Sequence, residues 1–160
     1  MGKVITVIGL GNILRHDDGV GLVLLDRIRQ AMQDVESVDF IDAGIAGMDL
    51  IHLIDPYKVV VLIDALQFSG RVGSSKFFSY VDVKSSKKTV SLSNHTEYIM
   101  QVLIAADKLG VLPDHVYIFG VQPSDVSYGE GISPELDDSL DDLANQLQKE
   151  LVKIVELYQK

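Results

Sequence analysis

Two neighbouring aspartates, Asp17 and Asp18, stand where a glycine-rich loop runs into a helix, and a third, Asp64, directly follows the apolar run Val59–Ile63. Carboxylates in such places suit a divalent cation or general acid–base work. His95 lies in a polar Ser93-Asn94-His95-Thr96 stretch at another helix start, and neutral imidazole is the commonest nitrogen donor to transition metals. Asp18, Asp64 and His95 together make one nitrogen and two carboxylates. Such a set leaves open coordination positions and suits Ni, Zn, Fe or Mn. Each residue also has a plainer reading. Asp17 and Asp18 can cap a helix and favour its dipole, one doing so while the other faces a crevice. Asp64 can accept backbone N–H groups, which a carboxylate after so apolar a run needs in order to offset burial. His95 reads equally as a surface histidine. His16 is an outer-sphere or substrate-contact candidate, whereas His52 and His115 read as structural or solvated. Spacing alone does not bring the three donors together; a fold has to.

The elements that would do so are legible in the periodicity. Val4–Ile8 is a β-branched, mostly apolar run ending at Gly9, which fits a buried strand. Val20, Val23, Leu24, Ile28, Ala31 and Met32 recur at helical spacing, predicting an amphipathic helix over about 19–33. Val38–Ile41 predicts a second strand, and a short helix is expected around Met48–Leu53. Val59–Ile63 is apolar on both faces, as a central parallel strand requires. Lys76–Lys84 reads as a more polar strand nearer an edge. Asn94 and Glu97 form a capping box for a helix whose face is Ile99, Val102, Leu103 and Ala106, and Gly110 and Pro113 end it. Val116–Val121 is a further strand. Ser133-Pro134 starts a long final helix with Leu136, Leu140, Leu143, Leu147, Leu151 and Ile154 on one face. Its acids come early and Lys149 and Lys153 late, which complements the helix dipole without any metal.

Alternating strands and helices mean an α/β chain, a single three-layer α/β/α sandwich with a mainly parallel, twisted sheet. Ligands of such sheets bind beyond the carboxyl ends of the strands, so the residues following each strand carry the chemistry. One domain over 1–160 fits the length of 160 residues. The net charge of −9 argues against nucleic acid, whose phosphates need clustered Lys and Arg. The chain has no cysteine, which excludes disulfides, thiolate metal sites and a cysteine nucleophile. Apolar runs such as Val59–Ile63 are far too short for a membrane span, no signal peptide stands out, and a cytoplasmic location is expected. A myristoylation pattern at Gly2 and a sequon at Asn94 read as coincidences of short motifs. The loop after the first strand has Leu14 where a dinucleotide fingerprint needs glycine, although an acid, Asp42, follows the second strand. There is also no Gly-Lys-Ser/Thr, no Gly-x-Ser-x-Gly elbow and no His-Glu-x-x-His helix.

Five segments in register resemble one family. They are Gly9-Leu10-Gly11-Asn12 with Asp17-Asp18-Gly19-Val20-Gly21; Asp42-Ala43-Gly44-Ile45-Ala46-Gly47; Ile63-Asp64-Ala65; Ser93-Asn94-His95; and Phe119-Gly120-Val121-Gln122-Pro123 with Gly129-Glu130-Gly131-Ile132-Ser133-Pro134. They cover nearly the whole chain and resemble the nickel–iron hydrogenase maturation endopeptidases, whose fold is phosphorylase/hydrolase-like. The resemblance implies metal-binding and catalytic roles for Asp18, Asp64 and His95, the donors already singled out. Some members carry Glu at the position of Asp18. The resemblance also places Asp17, Asp42, Gly44 and Gly47 beside the substrate tail. The implied activity is removal of a short C-terminal peptide from the nickel-loaded precursor of a [NiFe] hydrogenase large subunit. Nickel would arrive with the substrate, and other divalent metals would fit the same donors. No nucleic acid or membrane partner is implied. Whether the metal polarises the scissile carbonyl, activates a water, or leaves the base role to Asp17, Asp18 or Asp64 is not fixed by the residues.

Two other readings share some of these features. Peptidyl-tRNA hydrolases also begin with strand-Gly-Leu-Gly-Asn, but there Pro-Gly follows, where this chain has Ile13-Leu14. A non-proteolytic maturation chaperone that binds nickel or the client tail would use the same ligands, because ligands do not report turnover.

Overall fold

A computed structural model of the chain describes residues 2–85 and 94–159, without the side chains of residues 94–97. The capping box of Asn94 with Glu97, the sequon, Ser93 and the His95 side chain fall outside that description.

Five strands, β1 (Ile5–Leu10), β2 (Val38–Gly44), β3 (Val59–Ala65), β4 (Ser75–Ser79) and β5 (His115–Val121), form one sheet in the order β2-β1-β3-β5-β4. All pairings are parallel except that of β4 with β5. The helices are α1 (Val20–Ala31), α2 (Leu50–Ile54), α3 (Tyr80–Ser85), α4 (Asn94–Lys108), α5 (Pro134–Asp137) and α6 (Leu140–Tyr158).

Strand alternation sorts the two faces. In β3, Val59, Val61 and Ile63 pack with α1 and α6, while Val60 and Leu62 pack with α2, α3 and α4. Successive side chains of a strand point to opposite sides, so Asp64 shares the face of Val60 and Leu62. Both faces are covered, which is why β1 and β3 are buried along their whole length. This is the expected three-layer sandwich. After β1 the chain turns to β2, and after β3 it moves to the β5–β4 side. The carboxyl ends of β1 and β3 therefore flank a crevice at the point where the connections diverge.

Several boundaries differ from expectation, each for a local reason. The third strand continues through Asp64 and Ala65, because β5 pairs with both residues at Gly120 and Val121. The predicted strand over Lys76–Lys84 is instead β4 followed by α3. Ser79 Oγ accepts the Asp82 N–H at 3.2 Å, a helix-start bond that ends the strand, and Tyr80 is then buried. The single final helix is two: α5 stops at Asp137 and α6 begins at Leu140. Its leucine stripe is nonetheless buried from Leu136 to Ile154, as the spacing requires.

Candidate functional site

The loop after β1 is held in shape by close backbone approaches. A Cβ on Gly21 would come within 2.3 Å of the Leu10 carbonyl oxygen and 2.4 Å of that of Ile63. Glycine there lets the start of α1 rest directly on the ends of β1 and β3. Gly11 takes φ +136°, and a Cβ there would overlap the Asp18 carbonyl oxygen. With the two segments so close, the Asn12 N–H donates to Asp18 Oδ2 at 2.9 Å, and the Leu14 N–H donates to Asn12 Oδ1 at 2.9 Å. These bonds fix the Asp18 carboxylate at the mouth of the crevice.

Asp18 and Asp64 line the same pocket, together with Leu10, Gly44, Gly47 and Tyr98; its cavity is about 210 Å³. Both aspartates are buried, at 7% and 6% exposure. Asp64 Oδ1 accepts one N–H, that of Ala65 at 2.8 Å. Burial, and secondly the negative charge of Asp18, push the Asp64 carboxyl up to about 8. Neither carboxylate forms an ion pair among the described residues. Two buried carboxylates that repel each other across one pocket are donors a divalent cation fits, since a cation would relieve both burial and repulsion. Among the described residues no three His, Cys, Asp or Glu side chains form a metal cluster. His95 lies in the first turn of α4, whose residues Tyr98, Ile99 and Val102 line the same pocket.

Asp17 does not occupy the place expected of a substrate contact. It is fully buried and absent from the pocket wall. Oδ2 accepts the Ser124 N–H at 2.8 Å, the Asp125 N–H at 3.1 Å and the Ser133 hydroxyl at 2.7 Å; Oδ1 accepts the Ser133 N–H at 2.7 Å. Burial acts to raise its carboxyl, but these four donors outweigh it and hold it below the usual carboxylate range. Asp17 thus ties the turn that carries Asp18 to the loop after β5, and it is no general base for the pocket.

The other residues named from the sequence lie partly in the pocket wall and partly away from it. Gly44 and Gly47 line the pocket. Exposed Asp42 caps their loop, with Oδ1 accepting the Gly44 N–H at 3.1 Å. At this end β2 bulges, so that Gly9 pairs with Asp42 but Leu10 with Gly44. His16 turns away from the pocket and places Nδ1 3.0 Å from the Gly131 carbonyl oxygen. His52 is exposed, and His115 packs its ring on Tyr158.

Two further residues shape the site without having been singled out from the sequence. Arg15 lines the pocket, donates from Nε to the Val126 carbonyl at 3.0 Å and sits 5.3 Å from the centre of the Tyr128 ring. Gln122 is buried and accepts the Phe68 and Gly70 N–H groups, which folds the loop after β3 back onto β5. A buried polar residue just after a strand was the available signal for Gln122. Arg15 had none beyond lying in the right loop. No described helix is long and apolar enough to cross a membrane.

The chain is similar to known proteins in sequence and in fold. The chain is similar to HupD of Rhizobium leguminosarum bv. viciae, a hydrogenase expression/formation protein, with 28% identity over 122 residues, covering 76% of this chain and 60% of that protein. It is also similar to HupD of Bradyrhizobium diazoefficiens, with 28% identity over 137 residues, covering 85% of this chain and 71% of that protein. In fold it resembles the hydrogenase maturating endopeptidase HybD of E. coli, with a TM-score of 0.74, 24% identity, and coverage of 94% of this chain and 93% of that one. The family model for hydrogenase maturation protease (HycI) matches residues 23–150, which span α1 through most of α6 and include Asp64 and His95, so the chain belongs to the hydrogenase maturation protease family.

Proposed function

We propose that the protein is a cytoplasmic endopeptidase that removes a short C-terminal peptide from the nickel-loaded precursor of a [NiFe] hydrogenase large subunit. The observation that carries this reading is the pair Asp18 and Asp64, buried and facing one pocket at the carboxyl ends of β1 and β3. Family membership supplies the reaction class. Nickel is here part of the substrate. Asp18 and Asp64 engage it as it enters with the precursor, and His95 is the third donor offered by the resemblance. Other divalent ions suit the same donors.

The chain's own groups then have separate tasks. Asp18 is held by the Asn12 N–H, which fixes the carboxylate that meets the cation. Asp64 keeps a proton near neutral pH while the pocket is empty and gives it up when positive charge approaches. One of these two carboxylates takes the proton of the attacking water. The Gly44–Gly47 segment forms the wall along which the tail lies. Apolar Leu50, Ile99 and Val102 keep bulk water from the pair.

The test is a cleavage assay on the natural precursor, nickel-loaded and nickel-free, with the wild type, His95→Ala, Asp18→Asn and Asp64→Asn. Loss of the C-terminal peptide only from loaded precursor, and at least about a hundredfold slower with each variant, is expected. Stable binding of loaded precursor with no cut by the wild type overturns the peptidase reading and makes the protein a binding chaperone.

A further inference from the structure

The pocket opens among side chains that water would ordinarily drive inward. Ile45, Tyr98 and Tyr128 line it and are 77%, 45% and 83% exposed. Ile13 and Leu14, more than half exposed, stand between the lining residues Asn12 and Arg15, and exposed Met48 follows the lining Gly47. Four segments therefore bring six large apolar side chains to one end of the sheet: the loops after β1, β2 and β5, and the first turns of α4. The other exposed large apolar residues lie on helices α3, α4 and α6 or at element ends. Scattered exposed apolar residues need no explanation, but a contiguous set does.

The collar is also held outward. The Gly129 N–H donates to the Leu14 carbonyl at 2.9 Å, and the Gly11 N–H to the Gly44 carbonyl at 3.1 Å. The Arg15 guanidinium packs against the Tyr128 ring. Loops fixed in this way cannot fold their apolar side chains under, and they lose little entropy on binding. Among the described residues, Arg15, Asp18 and Asp64 are the charged residues of the pocket wall, and exposed Asp42, Asp49, Asp125 and Glu130 stand in the loops around it.

We infer that this collar docks the folded body of the client whose tail enters the pocket, through an apolar patch on that client. The inference rests on the peptidase reading for the client's identity. The occupant follows from continuity, because a tail seated between Asp18 and Asp64 brings its parent body against Leu14, Ile45 and Tyr128.

The experiment measures binding of nickel-loaded precursor by calorimetry, alongside its cleavage. It compares the wild type with Leu14→Ser/Tyr128→Ser, with Tyr128→Ser alone, and with the remote pair Val152→Ser/Leu157→Ser on α6. All four positions are exposed, and thermal unfolding checks that each variant is folded. The rim pair should weaken binding about tenfold or more and Tyr128→Ser alone by part of that, while the remote pair leaves it unchanged. Wild-type affinity should vary less than about threefold between roughly 50 and 500 mM salt. Equal effects of rim and remote pairs, or a steep loss of affinity with salt, overturn the inference. So does a dimer in sedimentation that the rim pair dissolves, because a second copy would then cover the collar. Binding through the collar without cleavage fails only the peptidase reading. Cleavage with rim variants binding normally fails only this inference. A wild type that neither binds nor cuts fails both.

Discussion

Asp17 and Asp64 lie at the same end of the sheet, both shut away from water, and their surroundings treat a negative charge in opposite ways. Around Asp17 four donors converge from three residues of the loop after β5, so the charged form is the comfortable one. Around Asp64 the described residues supply one N–H, a wall of apolar side chains and the carboxylate of Asp18, so the charged form is the strained one. Burial is nearly the same in both places; the supply of donors is what differs. The first carboxylate is a fastener. The second is left short of donors among the described residues. A buried charge that is fully hydrogen-bonded belongs to the architecture, and one left short of partners points to a ligand.

The comparison breaks most readily at Asp17. Asp17→Ala should cost about 3 kcal/mol or more in urea unfolding, because three backbone N–H groups and a hydroxyl lose their acceptor inside the protein. A cost under about 1 kcal/mol would mean that the loop after β5 is not fastened there. The Asp64 side of the contrast predicts a pH effect. Its folded carboxyl is raised to about 8 from an ordinary value of 3.8. Stability that is full below the lower value should fall as pH rises through that window and level off above it. Asp64→Asn should remove up to a few kcal/mol of this decline, read as the difference in unfolding midpoint between about pH 5 and pH 9. Asp17, with its carboxyl lowered, contributes in the opposite sense: its stabilisation is present above the ordinary carboxylate value and is lost only in stronger acid. An Asp64→Asn curve parallel to the wild type would erase the distinction.

Smaller changes sharpen the picture. Ser133→Ala removes one of the four bonds to Asp17 and the cap on the Leu136 N–H, and should cost about 1 kcal/mol in the same urea experiment. Arg27→Ala breaks the exposed ion pair with Asp141 on α6 and should change stability by no more than about 0.5 kcal/mol, since solvent screens such pairs. The ranking separates bonds made inside the protein from bonds made at its surface.

Much of this architecture was legible before any coordinates. The run Val59–Ile63 announced a strand covered on both faces, and the spacing of Ile99, Val102, Leu103 and Ala106 announced the buried stripe of α4; all of these residues are buried. The stretch Ser79-Tyr80-Val81-Asp82 continues the strand expected over Lys76–Lys84, yet the bond from the Asp82 N–H to Ser79 Oγ starts a helix there. The break between α5 and α6 leaves no mark in the spacing, because the leucine stripe runs through it unchanged. For the site, the crevice rule selected Asp18 and Asp64 from their positions after strands. It could not separate Asp17 from Asp18, because neighbouring residues of the same type differ only in which way the turn points them.

By itself, then, the sequence determined the layers, the sheet with its buried centre, the absence of thiol chemistry and the short roll of carboxylates worth considering. Those properties follow from the period of apolar residues, from composition and from glycines at strand ends, all of which act locally. Only the tertiary structure decided that Asp64 faces the same pocket as Asp18, that Asp17 is consumed by the loop after β5, and that Leu14, Ile45 and Tyr128 gather at one rim. Those facts depend on segments more than thirty residues apart meeting in space with fixed orientations, and the spacing of residues along a chain sets a side chain's face on its own strand or helix but not which distant segment it meets.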